Sequence, residues 1–159
     1  MNLQAQLDQF RKLRGTPPFN LRFHGPEDLV LRWGRTFMPG EPRYKAQPRE
    51  CFSRSYALAG RRGSQLIYIE GFAVNSCMGF ATPHAWLAHA EEFEIAREVA
   101  WAAGDGLEYF GIPFRFEYVK RVFEASGKKT YGVIDAWWLR WPLLTGEHRI
   151  EDAKWECGY

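Results

Sequence analysis

Hydrophobic positions change their period along the chain, and each change marks an element. Leu3, Leu7, Phe10 and Leu13 recur at steps of three and four, which places them on one face of a helix ending near Gly15. The stretch from Thr16 to Arg49 holds six prolines, so only short elements such as DLVLRW fit between its turns. In PRECFSRSYALAG, the spacing of Phe52, Ser55, Tyr56 and Ala59 predicts a second helix, with Cys51 in its first turn and Gly60 at its end. QLIYIEGFAV, rich in Ile, Tyr, Val and Phe, reads as a strand in which Gly71 marks a bulge or a close approach of backbones. TPHAWLAHA and EIAREVAW read as two further strands around a short acidic turn. GDGLEYFGIP is taken as a turn. Phe116, Val119, Val122 and Phe123 then predict a helix stopping near Gly127, and Val133, Ile134, Trp137, Trp138 and Trp141 a last one ended by Pro142.

These elements describe an α+β chain in which a small antiparallel sheet packs against helices. Its 159 residues suit one domain. Within it, residues 1–49 form an N-terminal helix and a loop-rich stretch, 50–114 the core that could carry chemistry, and 115–159 the C-terminal helices. The aromatic share of 16% supplies rings for a core and by itself indicates no function. A net charge of +2 is too small to argue for a nucleic-acid or anionic-membrane partner. No apolar run approaches the roughly 20 residues of a membrane span, and MNLQAQLDQFRKLRG lacks the apolar centre of a signal peptide, so a cytoplasmic protein is expected. Cys51, Cys77 and Cys157 form no C-x-x-C pair, which argues against a disulfide framework and a structural zinc site. His84 and His89, five apart on one strand, face opposite sides and cannot share an ion, so neither metal nor cofactor is expected.

Candidate chemistry centres on Cys51. A thiolate is the nucleophilic form of cysteine, and a helix N-terminus together with a nearby imidazole favours it. His84 is the best-placed base. A hairpin turning at Glu91 pairs positions whose numbers add to 182, which sets Glu98 opposite His84 with Cβ atoms about 5 Å apart. Asp105 is the fallback acid, Gln47 a candidate for the oxyanion hole, and Trp86 a candidate for shielding the imidazole and contacting substrate. Gly60–Gly63 with its two arginines and the pair Lys128 and Lys129 could touch phosphate, but such small clusters are usually just solvated. Trp137, Trp138 and Trp141 are expected to face the core.

The order of a helix-start Cys51, the strand run His84, Ala85, Trp86, and an acid on the next strand in Glu98, Val99, Ala100, Trp101 resembles the core of transglutaminase-like and papain-like cysteine enzymes. The likeness covers about Cys51 to Phe114, including Y-I-E-G and E-Y-F-G-I-P-F, and is similar to small bacterial and phage-type single-domain members. Glu98 stands where the transglutaminase-like group has Asp, and the Thr of that group's D-x-T-W run is absent. The resemblance implies a cysteine hydrolase or acyl transferase with a protein or peptide substrate. In that reading Cys51 is the nucleophile, His84 the base and Glu98 the acid that orients it. Peptide, isopeptide, glutamine side chain and small amide all fit. The rival expectation is a binding or inhibitory protein that keeps the scaffold without catalysis.

Overall fold

Five strands wrap into a closed barrel in the order β1-β4-β3-β2-β5. They are β1 (Arg35–Pro39), β2 (Leu66–Asn75), β3 (Ala81–His89), β4 (Glu92–Arg97) and β5 (Gly106–Phe114). The structure is a computed structural model that describes residues 2–16, 21–127 and 131–157. Strands β2, β3 and β5 form the antiparallel centre, and β1 closes the barrel by pairing parallel to β4 and antiparallel to β5. The expected meander therefore becomes a barrel, through two strands that the sequence pattern hides. RTFMP lies among prolines, and EYFGIPF, taken as a turn, is the strand β5 that pairs along nearly all of β2.

Alternation along β2 explains the layering. Tyr68, Phe72 and Val74 join a core beneath the helices, whereas Ile67, Ile69 and Ala73 point into the barrel with Phe37, Trp86, Ala88 and Tyr109. The helical layer is built by α1 (Leu3–Leu13), α2 (Pro26–Trp33), α3 (Cys51–Ala59) and α4 (Phe116–Ser126). In α1, Leu3 and Leu7 are buried, but Leu13 is 75% exposed and lies outside the expected face. α4 follows the expected pattern and ends on Gly127 in the left-handed conformation. No helix among the described residues is long and apolar enough to cross a membrane.

The last predicted helix does not form. Residues 131–141 are turns and a single 3-10 turn over Trp137–Leu139, and Pro142 begins the short α5 (Pro142–Thr145) instead of ending a helix. α6 (Ile150–Ala153) follows. Glu70, a buried carboxylate on β2, holds the start of this segment to the sheet, accepting from Val133 N at 2.7 Å, Ile134 N at 2.8 Å and Tyr68 Oη at 2.7 Å. Val133 and Ile134 are buried beside it, and Gly132, Arg140 and Trp141 adopt left-handed conformations that a right-handed helix does not contain. Trp137 and Trp141 are left 49% and 40% exposed, contrary to the core-facing expectation.

Gly71 is a close-approach point, as the pattern suggested. It pairs with Gly111 on one side and His84 on the other, and a Cβ there would overlap Phe110 O and Gly111 Cα. A Cβ on Gly111 would meet Trp86 Cη2 at 2.6 Å. In this cross-strand row, His84 is thus followed by two residues without side chains. The space they leave lets the backbones close up and admits the Trp86 ring.

Candidate functional site

Cys51 is the first residue of α3 and is buried, 8% exposed, against the barrel strands. Glu50 precedes it without a side-chain cap, so the first-turn amides are not claimed by a capping carboxylate. Arg49 before that adopts a left-handed conformation with φ 68°, an unusual turn for a non-glycine residue immediately upstream of the cysteine. His84 projects from β3 and is 2% exposed. Its Nε2 lies 2.9 Å from Glu98 Oε2 and 3.1 Å from Oε1. The Cys51 side chain also lies against this imidazole and raises its pKa. With Nε2 engaged by the carboxylate, Nδ1 is left to face the thiol.

Glu98 and His84 meet, though by a different route from the one the hairpin arithmetic gave. β3 and β4 pair Leu87 with Arg97 and His89 with Glu92, with a register shift between. β4 carries the extra residues of that irregularity and ends at Arg97, so Glu98 belongs to the following bend and not to the ladder. From there it folds back over its own backbone. Oε1 accepts from Val99 N at 2.8 Å, Ala100 N at 2.7 Å and Trp101 N at 3.2 Å, while Oε2 accepts from Tyr109 Oη at 2.8 Å. The extra methylene of Glu over Asp is what lets one carboxylate turn onto these amides and still reach the imidazole.

Charges at the site are strongly perturbed. Burial pushes His84 down, but hydrogen bonding to Cys51 and Glu98 and the negative charge beside it outweigh burial and raise it to about 9. Burial pushes Glu98 up, and His84, the Ala100 amide and the Tyr109 hydroxyl together hold it at about 2. Burial and the adjacent Glu98 charge push the Tyr109 phenol well above its ordinary value. At neutral pH the pair is therefore imidazolium and carboxylate.

Two residues of this cluster escaped the sequence reading. Trp101 stacks flat on the imidazole, ring centroids 3.8 Å apart and planes within 10°. It takes the shielding role expected of Trp86, which sits fully inside the barrel and cannot touch a substrate. Tyr109 lay hidden in the segment taken as a turn. Had EYFGIPF been read as a strand, alternation would have pointed Tyr109 into the barrel.

The other candidates separate. Asp105 is drawn to Ser76, accepting from its backbone N at 2.8 Å and its Oγ at 3.4 Å, and makes no contact with His84. Gln47 donates its backbone N–H to Val99 O at 3.2 Å, which holds it beside the Glu98 bend with its side chain exposed. Cys77 and Cys157 are exposed. Arg61 and Arg62 are exposed, and Lys128 and Lys129 lie outside the described residues. No group of three potential metal ligands occurs among the described residues. Comparison of the chain with family models, curated proteins and solved structures finds no match.

Proposed function

We propose that the protein is a cysteine hydrolase or acyl transferase acting on an amide, peptide or isopeptide bond through Cys51, His84 and Glu98. One observation carries the reading. Three chain segments bring together a helix-start cysteine, a buried imidazolium whose pKa that cysteine raises, and a carboxylate with multiple donors hydrogen-bonded to the imidazolium. Holding an imidazolium and a carboxylate in a buried site costs desolvation free energy, and such perturbed groups concentrate where chemistry is done. A helix-start cysteine packed on a barrel strand that bears the histidine also supports the likeness to transglutaminase-like and papain-like enzymes.

In this mechanism the Cys51 thiolate attacks the carbonyl carbon, and the developing oxyanion is met by the Cys51 backbone N–H at the start of α3. His84 Nδ1–H then passes its proton to the leaving amine as the C–N bond breaks, giving a thioester. Water, or a second amine, attacks the thioester while His84 takes its proton back, and Cys51 leaves. Glu98 holds the imidazole by Nε2 throughout, and Trp101 keeps one face of the ring from water. The substrate in this reading is a protein or peptide.

Against a panel of peptide amides and thioesters, Cys51→Ala should lower turnover by at least about a thousandfold without changing the far-ultraviolet dichroism. A folded Cys51→Ala protein with undiminished turnover contradicts the mechanism. A wild-type protein that turns over nothing but binds one peptide tightly identifies the non-catalytic relative of the same scaffold.

A further inference from the structure

The carboxylate of Glu98 is fixed at one oxygen by its own loop. Val99, Ala100 and Trp101 all donate to Oε1, and none of them to Oε2. The last torsion of a glutamate side chain joins sp³ to sp² carbon and has only a broad preference, so holding one oxygen does not set the plane of the group. His84 Nε2 points between both oxygens, 3.1 Å from Oε1 and 2.9 Å from Oε2, and so needs that plane. The only hydrogen bond that Oε2 receives from outside the His84 pair, among the described residues, comes from Tyr109 Oη at 2.8 Å.

The place of that hydroxyl is built into β5. A Cβ on Gly106 would fall on Tyr109 Oη and lie 2.6 Å from its Cζ, so the glycine three residues earlier leaves the space that the phenol fills. Gly106 is not in the left-handed region, so this space, and not backbone freedom, is what a side chain there would take away. Trp86 meets the Tyr109 ring edge to face at 5.2 Å, and Tyr109 is 2% exposed, which leaves little room for water to replace the phenol.

We infer that Tyr109 is a positioning residue of the site: its hydroxyl, housed in the space left by Gly106, sets the plane of the Glu98 carboxylate and so keeps it facing His84. The inference rests on the catalytic reading of Cys51, His84 and Glu98, but its test does not need the thiol. In a Cys51→Ala chain, His84 is titrated by NMR of its ring nitrogens with Tyr109, with Tyr109→Phe and with Gly106→Ala. Both substitutions should lower the His84 midpoint by about one pH unit, the scale of one charge-assisted hydrogen bond. Gly106→Ala should add little once residue 109 is already Phe. Thermal melts of the same chains confirm that each is folded, and Gly106→Ala, which retains the phenol, distinguishes a misplaced hydroxyl from a missing one. An unchanged or raised midpoint in a folded Tyr109→Phe chain overturns the positioning role. Failure of the catalytic reading shows separately, as ordinary thiol behaviour of Cys51 in the parent protein with the His84 shift intact.

Discussion

Glu98 does two things at once, and the length of its side chain is what allows both. One oxygen closes the bend that presents Trp101 to the imidazole, and the other meets His84 and Tyr109. Glu98→Asp should therefore cost more than a change of acid. The shorter side chain cannot reach His84 while capping the amides of Val99 and Ala100, and an unsatisfied buried donor costs about 1–3 kcal/mol. Urea unfolding should show a loss of that size for Glu98→Asp, together with loss of the Trp101 stacking shift on His84 in NMR spectra. Glu98→Gln keeps the length and the loop amides but removes the charge, so it should retain more stability while lowering the His84 midpoint. A Glu98→Asp protein as stable as the parent would show that the bend does not depend on the carboxylate.

At the scale of elements, the barrel depends on a row in which His84, Gly71 and Gly111 lie side by side across β3, β2 and β5. Gly71→Ala drives a methyl group into the backbone of β5, and overpacking of this kind costs typically 1–3 kcal/mol or more, with backbone giving less than side chains. Gly63→Ala, at φ 73° with open space around it, should cost only about 1 kcal/mol from backbone strain. Thermal melts of the two variants make the comparison, and equal losses would mean that β2 and β5 can part to admit a side chain. This close approach was legible in the sequence because a glycine interrupts an otherwise unbroken β pattern. So were α1, α3, α4 and the meeting of His84 with Glu98, each carried by local period or by chain order. β1 and β5 were not, since Pro39 and Pro113 look like breakers until their partners in a closed barrel are known. The segment from Tyr131 to Trp141 has helical spacing, but Glu70, 63 and 64 residues away, docks its start on the sheet and Gly132, Arg140 and Trp141 turn left-handed, which no local pattern announces. The Glu98 geometry was found through a register that the irregularity in β4 replaces. Observed and expected pairing at Leu87–Arg97 differ by two residues, an even number, which preserves the face.

For the whole molecule, three buried ionisable groups set the dependence of stability on pH. Glu98 is depressed from 4.5 to about 2, so its contribution is complete above pH 4.5 and is lost as pH falls through about 2. His84 is raised from 6.5 to about 9, so its contribution is complete below pH 6.5 and is lost as pH rises through about 9. Burial raises Glu70 from 4.5 to about 7, so folding favours its neutral form and its contribution is lost as pH rises through about 7. Stability should be greatest near pH 4.5, fall from there to about pH 7 through Glu70 and on toward pH 9 through His84, with each group changing it by at most about 1.4 kcal/mol per pH unit within its window. Urea midpoints measured from pH 3 to 10 read this directly, and Glu70→Gln should flatten the part of the fall below pH 7. A stability maximum above pH 8 would contradict the assigned charges.

The central claim is that Cys51 and His84 act as one unit beside Glu98, and the rate of Cys51 alkylation by iodoacetamide across pH 4 to 9 tests it without a substrate. Modified sites are read by mass spectrometry in the parent and in His84→Ala, with the exposed Cys77 and Cys157 as internal references. The account predicts that Cys51, although buried, labels faster at pH 6 than the exposed Cys77 and Cys157. It also predicts that His84→Ala removes this low-pH reactivity while the two references keep theirs. Labelling of Cys51 that rises only with that of the reference thiols, and is unchanged in His84→Ala, would contradict the claim and leave the scaffold as a binding protein.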